Sequence, residues 1–376
     1  MVYRGLTWDH PRGYQALIAA ADDAKGLVLS WDRQPLEGFE THPIAQLCAD
    51  YDLVVLDHPH VGEAVAAGCL RPLEDLFAPE EIGAFSAATI GPCLASYHYA
   101  GRHWALPLDA ATQVTAYRPD LIGAPPTTWD AVLALSETVP MALSLAGPHA
   151  ALSFQSLAAA IDQSLPDADP GRFVGEEIGR QALDILARLA ARAVPAAAAL
   201  NPIALLALMA TSDTVALCPL VYGYVNYTVP APDARALCFA DAPRHHAGGR
   251  PGSTLGGTGI GISTRCDVTP ALLDHLRWLL GASAQIRFIP DHGGQPSRRD
   301  AWTDPAVNRR WGGFYEATAA TLEEAYVRPR HNGAIAFQTE ASALIRTTLD
   351  ERRDHGATLA ALQDAYTRSR IHGAER

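Results

Sequence analysis

The chain has 376 residues, 48% of them hydrophobic and 19% charged, which is enough for two or three globular domains and excludes a disordered or fibrous chain. The 29 basic and 41 acidic residues give a formal charge of −12, so neither nucleic acid nor an anionic membrane surface is an expected partner. No stretch reaches about 18 uninterrupted apolar residues, and we therefore expect no membrane insertion.

The first residues and the cysteines bear on cellular location. The chain becomes polar at Trp8-Asp9-His10, before any apolar core that a signal peptide would need. The six cysteines occur singly, without a Cys-x-x-Cys pair, which favours small buried side chains and a reducing compartment. We therefore expect a cytoplasmic protein as encoded, or a periplasmic or otherwise extracytoplasmic one if a leader has been removed. The cysteines are Cys48, Cys69, Cys93, Cys218, Cys238 and Cys266.

The first hundred residues alternate between strand-like and helix-like patterns. The segment 51–57 has a continuous apolar middle, which suits a strand buried on both faces of a sheet. This alternation is typical of β-α-β units in a parallel sheet. We predict strands at residues 4–8, 27–32 and 51–57 and helices at 13–24 and 43–49.

Polar and aromatic residues follow the first and third predicted strands. Residues 8–14 read Trp-Asp-His-Pro-Arg-Gly-Tyr, and residues 57–62 read Asp-His-Pro-His-Val-Gly. In an open parallel sheet, ligands bind beyond the carboxyl ends of the strands. We therefore expect these two loops to contribute to a binding site.

The rest of the chain predicts a second unit and a return to the first. A long extended run begins at residue 104, and after Pro125-Pro126 the side chain of Thr128 is expected to cap a helix. Residues 290–302 are expected to be irregular. We predict further strands at 141–145 and 214–227 and helices at 152–161, 176–192, 203–210, 270–280, 317–326 and 338–350.

Residues 256–262 read Gly-Gly-Thr-Gly-Ile-Gly-Ile and superficially resemble a dinucleotide-binding loop. The run lacks the G-x-G-x-x-G spacing, follows no clear strand and opens no helix, which argues against a nucleotide site. Glycine at alternate positions instead clears one face of an extended segment that passes close to another backbone or a ligand. We predict a second crossing strand here.

Several segments, taken in chain order, resemble one protein family. Residues 51–76, which include Tyr-Asp-Leu-Val-Val-Leu-Asp and then Ala-Gly-Cys-Leu-Arg-Pro-Leu-Glu-Asp-Leu, resemble family 1 extracellular solute-binding proteins of ABC sugar importers, the maltodextrin-binding type. Residues 106–121 and 125–133 look like the first hinge strand of that family and the helix after it. Residues 256–263 are similar to its second crossing, so the resemblance covers most of the chain.

The resemblance implies an α/β fold of the periplasmic-binding-protein-like type II class, with two α/β lobes and a hinged interlobe cleft. The first lobe would comprise residues 1–108 plus about 263–316, and the second 109–262, with hinge crossings near 106–114 and 256–263. Helices within 317–376 would brace the lobes.

The resemblance also implies reversible capture of a small polar organic ligand, a sugar or sugar-acid-like molecule, by a hinged monomer without a cofactor. An ABC permease would be the partner if the protein is exported.

Sugar sites combine aromatic rings with carboxylates, amides and arginine that bind the hydroxyl groups. The two loops, the first crossing strand, the second lobe and the Gly-Gly-Gln-Pro-Ser-Arg run at 293–298 supply this set. In the alternative interpretation these residues have only structural roles: the aromatic residues belong to the core, and Asp9 caps a turn or a helix. The expected ligand-binding residues are Trp8, Asp9, His10, Arg12, Tyr14, Asp57, His58, His60, Asp109, Tyr222, Tyr224, Asn226, Gln295 and Arg298.

The histidines of the two loops keep an enzymatic alternative open. His10, Asp9, His58 and Asp57 would lie on adjacent strand ends, where the carboxylates could poise the imidazoles for acid–base catalysis near neutral pH. A weaker alternative is iron, bound by His58, His60, Asp57 and His10, with Tyr222 or Tyr224 of the second lobe closing over the metal. No Ser-His-Asp or Cys-His triad is readable from local motifs.

Overall fold

The computed structural model describes residues 2–162 and 171–374. The strands are β1 (Val2–Trp8), β2 (Val28–Gln34), β3 (Leu53–Leu56), β4 (His98–Tyr99), β5 (Arg102–His103), β6 (Leu106–Tyr117), β7 (Leu217–Tyr222), β8 (Cys238–Ala240) and β9 (Leu255–Ile262). The helices are α1 (Pro11–Asp23), α2 (Leu36–Thr41), α3 (Ile44–Asp50), α4 (Val61–Ala66), α5 (Pro79–Ala88), α6 (Trp129–Leu135), α7 (His149–Ile161), α8 (Glu176–Ala190), α9 (Pro202–Thr211), α10 (Pro270–Leu280), α11 (Ile289–Asp291), α12 (Arg299–Thr303), α13 (Pro305–Arg310), α14 (Phe314–Glu323), α15 (Ala334–Glu351) and α16 (His355–Ala374).

The first lobe is built around β1, β2 and β3, which confirms the predicted β-α-β alternation. β1 pairs in parallel with β2 along its whole length and with β3 at Gly5 and Leu6. All four residues of β3 are buried, as its continuous apolar run predicts. Helices α1 and α10 contribute Leu17 and Leu276 to the core beneath these strands.

Two long strands connect the first lobe to the second. β9 runs antiparallel to β3, and β6 runs antiparallel to β9 before continuing into pairs with β7 and β8. The resulting sheet has the order β2-β1-β3-β9-β6-β7, with β8 also paired to β6. Both predicted crossing segments are therefore strands, and the second is not a nucleotide-binding loop.

The alternate glycines of β9 have the close neighbours that the sequence predicts. A Cβ atom at Gly257, where φ is +84°, would lie 2.3 Å from the carbonyl oxygen of Asp109. At Gly259 and Gly261 a Cβ atom would approach side chains of the first lobe within 2.8 Å and 2.9 Å. These contacts explain why side chains are absent from this face of the strand.

The second lobe has two packed regions. One contains α6, α7 and α8 together with α15 and α16, and the other contains β7, α9 and α14. Trp302 and Phe314, which the sequence assigns to the first lobe, pack in the second of these regions. The lobe boundaries themselves stay a prediction. Among the described residues, no helix combines the length and the hydropathy that a membrane span requires.

Two predicted strands differ from the structure. Residues 141–145 form only an isolated bridge, between Met141 and Leu217, so the predicted strand there is wrong. The predicted strand at 214–227 is shorter, because β7 ends at Tyr222 and a 3₁₀ turn follows at Val225–Thr228. The amide of Val225 donates to Oε1 of Gln295 at 2.9 Å, which takes this amide away from strand pairing.

Candidate ligand-binding site

A small cavity of about 60 Å³ lies between the lobes, where β1 and β3 end. Residues from the first lobe, the second lobe and β9 all contribute to its wall. The apolar and aromatic part is formed by Trp8, Leu36, Phe39, Ala111, Pro202, Tyr222 and Tyr224. The polar part is formed by Arg12, Glu40, Asp57, His149 and Thr258, and Gly256 and Gly257 complete the wall.

A larger open groove of about 820 Å³ lies elsewhere, between the start of α15 and helices α3 and α4. Small residues dominate its lining, and it presents no Trp, Tyr or Phe ring. The interlobe cavity has both aromatic faces and buried polar groups, which are the features of a small-molecule site. It is therefore the candidate ligand-binding site.

Arg12 closes one side of the cavity. Its guanidinium forms a bidentate pair with Asp109 on β6, and its Nη1 donates to the carbonyl oxygen of Gly223 in the second lobe at 3.0 Å. The side chains of Arg12 and Asp109 are only 4% and 5% exposed. Although burial opposes it, the Asp109 carboxylate raises the pKa of Arg12 above its usual value. This ion pair therefore joins the first lobe to a crossing strand and to the second lobe.

A second buried ion pair lies behind Asp57. Nη2 of Arg328 binds Asp57, its Nε donates to the carbonyl oxygen of Leu255 at 3.0 Å, and its Nη1 donates to Gln338 at 3.1 Å. Burial acts to raise the pKa of Asp57, but Arg328 and His58 together outweigh it and hold that pKa well below the usual range. Asp57 therefore stays a carboxylate in the cavity wall.

The aromatic rings of the wall are supported by glycines. A Cβ atom at Gly256 would lie 2.4 Å from the ring of Tyr222, and one at Gly13 would lie 2.4 Å from the indole of Trp8. Tyr224 packs against the Arg12 guanidinium, whose central carbon lies 4.7 Å from the ring centroid. Both supporting glycines are thus required for the rings to lie flat against the backbone.

Three polar side chains in the wall have nitrogen or oxygen atoms without a hydrogen-bond partner among the described residues. These atoms are Nε1 of Trp8, Oγ1 of Thr258 and both ring nitrogens of His149. Nε2 of His149 lies 3.3 Å from Oε1 of Glu40, but not in hydrogen-bond geometry. Buried polar groups without partners are costly, so their concentration here indicates that the cavity accepts a hydrogen-bonding ligand.

The structure gathers five of the predicted site residues in the cavity wall and places two more behind it. Trp8, Arg12, Asp57, Tyr222 and Tyr224 line the cavity. Asp109 lies behind Arg12, and His10 packs edge-on against Tyr224 with ring centroids 4.7 Å apart.

The other predicted site residues lie outside the wall. Asp9 is half exposed and pairs with Arg33, whose guanidinium also covers the ring of Tyr14. Asn226 donates to the carbonyl oxygen of Gly293, and Arg298 forms an ion pair with Asp300. Gln295 accepts from Val225 and donates to the carbonyl oxygen of Ala110, so it connects the crossing strand to the second lobe. His58 is buried beside Asp57, and His60 is buried next to it.

The sequence predicts that neighbouring carboxylates keep the pKa values of the histidines near neutral pH, and this prediction is wrong. Burial lowers the pKa of His10 to about 3, assisted by Arg12, and lowers the pKa of His58 and of His60 to about 4. His10 accepts from the backbone amide of Arg12 as the N-cap of α1, and Nε2 of His58 accepts from the amide of Arg328. These rings are therefore neutral structural groups at pH 7, and burial outweighs the neighbouring carboxylates.

The iron alternative has no cluster of ligands to support it. Within residues 2–162 and 171–374, no three His, Cys, Asp or Glu side chains are gathered as metal ligands would be. His10 and His58 instead use one ring nitrogen each to accept a backbone hydrogen bond.

Four polar residues of the site were not predicted from the sequence: Thr258, which lies in the glycine run of β9, and three residues outside the segments expected to form the site. Glu40 lies near the end of the short helix α2, His149 opens α7, and Arg328 lies between α14 and α15. None of these three belongs to a recognisable motif, and Arg328 is 271 positions from its partner Asp57. What marks these residues is that an ionisable side chain becomes buried beside another one, and only the folded chain shows this.

Two α/β lobes, joined by crossing strands around a polar and aromatic cavity, define the class of hinged, two-lobed binding proteins. The chain belongs to the bacterial extracellular solute-binding proteins, because the model of that family matches residues 40–312. No curated protein sequence gives a significant match.

Solved structures of this class align with nearly the whole chain. A solute-binding protein of an ABC transporter from Agrobacterium radiobacter K84, in complex with ribitol, is 20% identical, with 98% of each chain covered and a TM-score of 0.79. A maltose-bound MalE3 from T. maritima is 15% identical, with 97% of this chain and 98% of that chain covered and a TM-score of 0.79. A solute-binding protein of an ABC transporter from Agrobacterium vitis S4, with bound D-mannitol, is 16% identical, with 99% of this chain and 98% of that chain covered and a TM-score of 0.74. The likeness shows the periplasmic-binding-protein-like type II fold.

Proposed function

We propose that this protein binds a small, uncharged polyol or monosaccharide in the interlobe cavity and leaves it chemically unchanged. The observation that carries the proposal is the set of partnerless polar groups on Trp8, Thr258 and His149, in a wall that also presents aromatic faces. Hydroxyl groups of a ligand both donate and accept, and the C–H faces of a sugar or alditol pack on aromatic rings.

The charges in the wall favour an uncharged ligand over a sugar acid. Arg12 already binds Asp109 and the Gly223 carbonyl, so its donors are committed within the protein. Glu40 and Asp57 contribute acceptor oxygens, which suit hydroxyl donors and repel a ligand carboxylate. We therefore expect alditols and neutral sugars to bind more tightly than the corresponding acids.

The size of the cavity favours a single small unit. A volume of about 60 Å³ holds only a few water molecules, so the lobes must separate slightly even for a pentitol. A chain of sugar units would require a much larger opening. The ribitol and mannitol complexes among the structural relatives agree with a ligand of this size.

The family membership supports a role outside the cytoplasm. We propose that the protein acts there as a monomer, as the binding component of an ABC importer like the structural relative that binds ribitol. In this role the ligand is handed to a permease and released without reaction. The neutral histidines beside the cavity agree with binding without acid–base catalysis.

The proposal is tested by calorimetric titration and thermal unfolding with ribitol, mannitol, tagatose, maltose and gluconate. We expect an alditol or monosaccharide to bind most tightly and to raise the unfolding temperature. At about 100 times the Kd, a ligand should add about 2.7 kcal/mol to the free energy of unfolding. If none of these compounds binds, or if gluconate binds most tightly, the proposal is wrong.

Thr258→Val tests whether the cavity is the site. The change removes a partnerless hydroxyl and preserves the shape of the side chain. We therefore expect the Kd to rise threefold to roughly tenfold, with an unchanged free energy of unfolding. Thr318→Val is the matched control, because Thr318 is buried in α14 and bonded to the carbonyl oxygen of Phe314, away from the cavity wall. Equal affinities of Thr258→Val and the unmodified protein would contradict this placement.

A further inference from the structure

The short helix α2 connects the first lobe to the second across the interlobe cavity. Phe39 of α2 packs in the core of the first lobe. Nδ2 of Asn201, the N-cap of α9, donates to Oε1 of Glu37 at 3.2 Å. Oε1 of Glu40 lies 3.3 Å from Nε2 of His149, the first residue of α7. Because α2 belongs to one lobe and α7 and α9 to the other, a separation of the lobes breaks both contacts.

Glu40 and His149 form an incomplete pair in the cavity wall. The other two charged groups of the wall, Arg12 and Asp57, each have a buried counter-charge. The side chain of His149 is only 2% exposed, and neither of its ring nitrogens has a hydrogen-bond partner in the part of the chain that the structure describes. A buried polar atom without a partner costs free energy, so this pair lacks a third group.

The chemistry of the two side chains defines that group. A neutral imidazole offers one N–H donor and one acceptor nitrogen, whereas a carboxylate offers acceptors only. A hydroxyl group both donates and accepts, so it satisfies an N–H and a carboxylate that face each other. A ligand ammonium has no lone pair for the N–H of His149, and Glu40 repels a ligand carboxylate. A hydroxyl is therefore the complementary group.

We propose that Glu40 and His149 together recognise one hydroxyl group of the ligand and are the specificity-determining pair of the site, an inference that rests on the proposed function. The hydroxyl donates to the carboxylate of Glu40 on the first lobe and accepts from the ring N–H of His149 on the second. A ligand without this hydroxyl leaves both side chains unpaired when the lobes close. The pair therefore selects for the position of a hydroxyl group, whereas the aromatic rings select only for an apolar face.

The test uses ribitol, mannitol or tagatose, whichever binds most tightly, and the monodeoxy analogues of that compound. In the unmodified protein, loss of one particular hydroxyl should raise the Kd measured by calorimetry about tenfold to a hundredfold. His149→Phe removes both nitrogens and keeps an aromatic ring beside Tyr222. In this variant the parent compound should bind about as weakly as that deoxy analogue. The analogue itself should lose no further affinity, because the interaction that the variant removes is already absent.

Glu40→Gln tests the other half of the pair. The change replaces a charged acceptor with a neutral amide of the same shape, so the Kd of the parent compound should rise about threefold to tenfold, with the same deoxy analogue least affected. His275→Phe is the matched control and should leave every Kd unchanged. His275 is also buried, and its Nε2 has no partner among the described residues, but it lies in α10, outside the cavity wall.

The ligand-free protein supplies a second readout. His149→Phe replaces two unpartnered nitrogens with apolar atoms, so its unfolding temperature should be unchanged or higher. A large fall in that temperature would show that the ring nitrogens serve the fold, which would overturn the inference.

The titrations separate this inference from the proposed function. If none of the three compounds binds, the proposed function is wrong and the inference falls with it. If one binds, but His149→Phe leaves its Kd unchanged or weakens it and all its deoxy analogues by the same factor, only the inference is wrong. The same holds if His149→Phe and Glu40→Gln identify different hydroxyl groups.

Discussion

The Arg12–Asp109 ion pair is the most deeply buried ion pair next to the cavity. Both side chains are withdrawn from water, and the guanidinium is further held by the Gly223 carbonyl and the face of Tyr224. Such a pair contributes little net free energy compared with an apolar replacement, but removal of one partner leaves an uncompensated charge. The pair therefore specifies how the first lobe meets the crossing strand.

Asp109→Asn should destabilise the protein by about 3–5 kcal/mol, because it leaves the buried Arg12 guanidinium without its counter-charge. Urea unfolding, followed by tryptophan fluorescence, measures the loss. Asp300→Asn is the control, since Asp300 binds Arg298 at the surface and its loss should cost less than about 1 kcal/mol. Equal midpoints for the two variants would contradict the structural importance of the buried pair.

The residues of the site differ in how well the sequence predicts them. Trp8 ends β1, Arg12 comes shortly after it, and Asp57 directly follows β3. The rule that ligands bind at the carboxyl ends of parallel strands is enough to nominate these three residues. Asp9 satisfies the same rule but faces solvent, because neighbouring side chains on a loop diverge. Glu40 and His149 reach the cavity from helices, where no local pattern distinguishes them from surface residues.

At the level of elements, β6 and β9 determine the geometry of the molecule. Each crossing strand pairs with strands on both sides, so its backbone is fixed in both lobes. The glycines of β9 permit this approach, and their spacing made the strand predictable. The short helix α2 had no comparable signal, since its six residues contain only one buried apolar side chain, Phe39.

Gly257→Ala should destabilise the protein by about 1–3 kcal/mol or more, because φ at this position is +84° and the new Cβ would collide with the Asp109 carbonyl. Gly83→Ala is the matched control. Gly83 lies in α5, where a Cβ meets no atom within 4 Å, and alanine should stabilise the helix by about 0.5–1 kcal/mol. Thermal unfolding should show a lower unfolding temperature for Gly257→Ala and a higher one for Gly83→Ala. An unchanged unfolding temperature for Gly257→Ala would contradict the close approach of β9 to the Asp109 carbonyl on β6.

At the scale of the whole molecule, the C-terminal helices α15 and α16 share an apolar core with α7 and α8, and buried polar groups link the parts of the chain that meet around the cavity. Arg12 bonds to the second lobe, and Arg328 connects Asp57 to β9 and to Gln338 of α15. Hydrogen bonds and ion pairs are specific in distance and direction, so around the cavity they define how the closed lobes meet. This suits lobes that must separate to admit a ligand.

Buried neutral histidines make the stability of the whole molecule depend on pH. In the unfolded chain an imidazole binds a proton near pH 6.5, but in the folded protein His58 and His60 do so only near pH 4, and His10 only near pH 3. Between these values the unfolded state binds more protons, so the free energy of unfolding falls as the pH is lowered. Each histidine should contribute about 1.4 kcal/mol per pH unit, and its full contribution to stability is present above pH 6.5.

Urea unfolding at intervals from pH 7.5 to 4.5 measures how steeply the free energy of unfolding changes with pH. In His60→Gln this slope should fall by the contribution of one histidine, about 1.4 kcal/mol per pH unit, and replacement of the exposed His246 by Gln is the control. A free energy of unfolding that stays constant from pH 6.5 to 5 would mean that these rings are protonated in the folded protein, which their burial argues against.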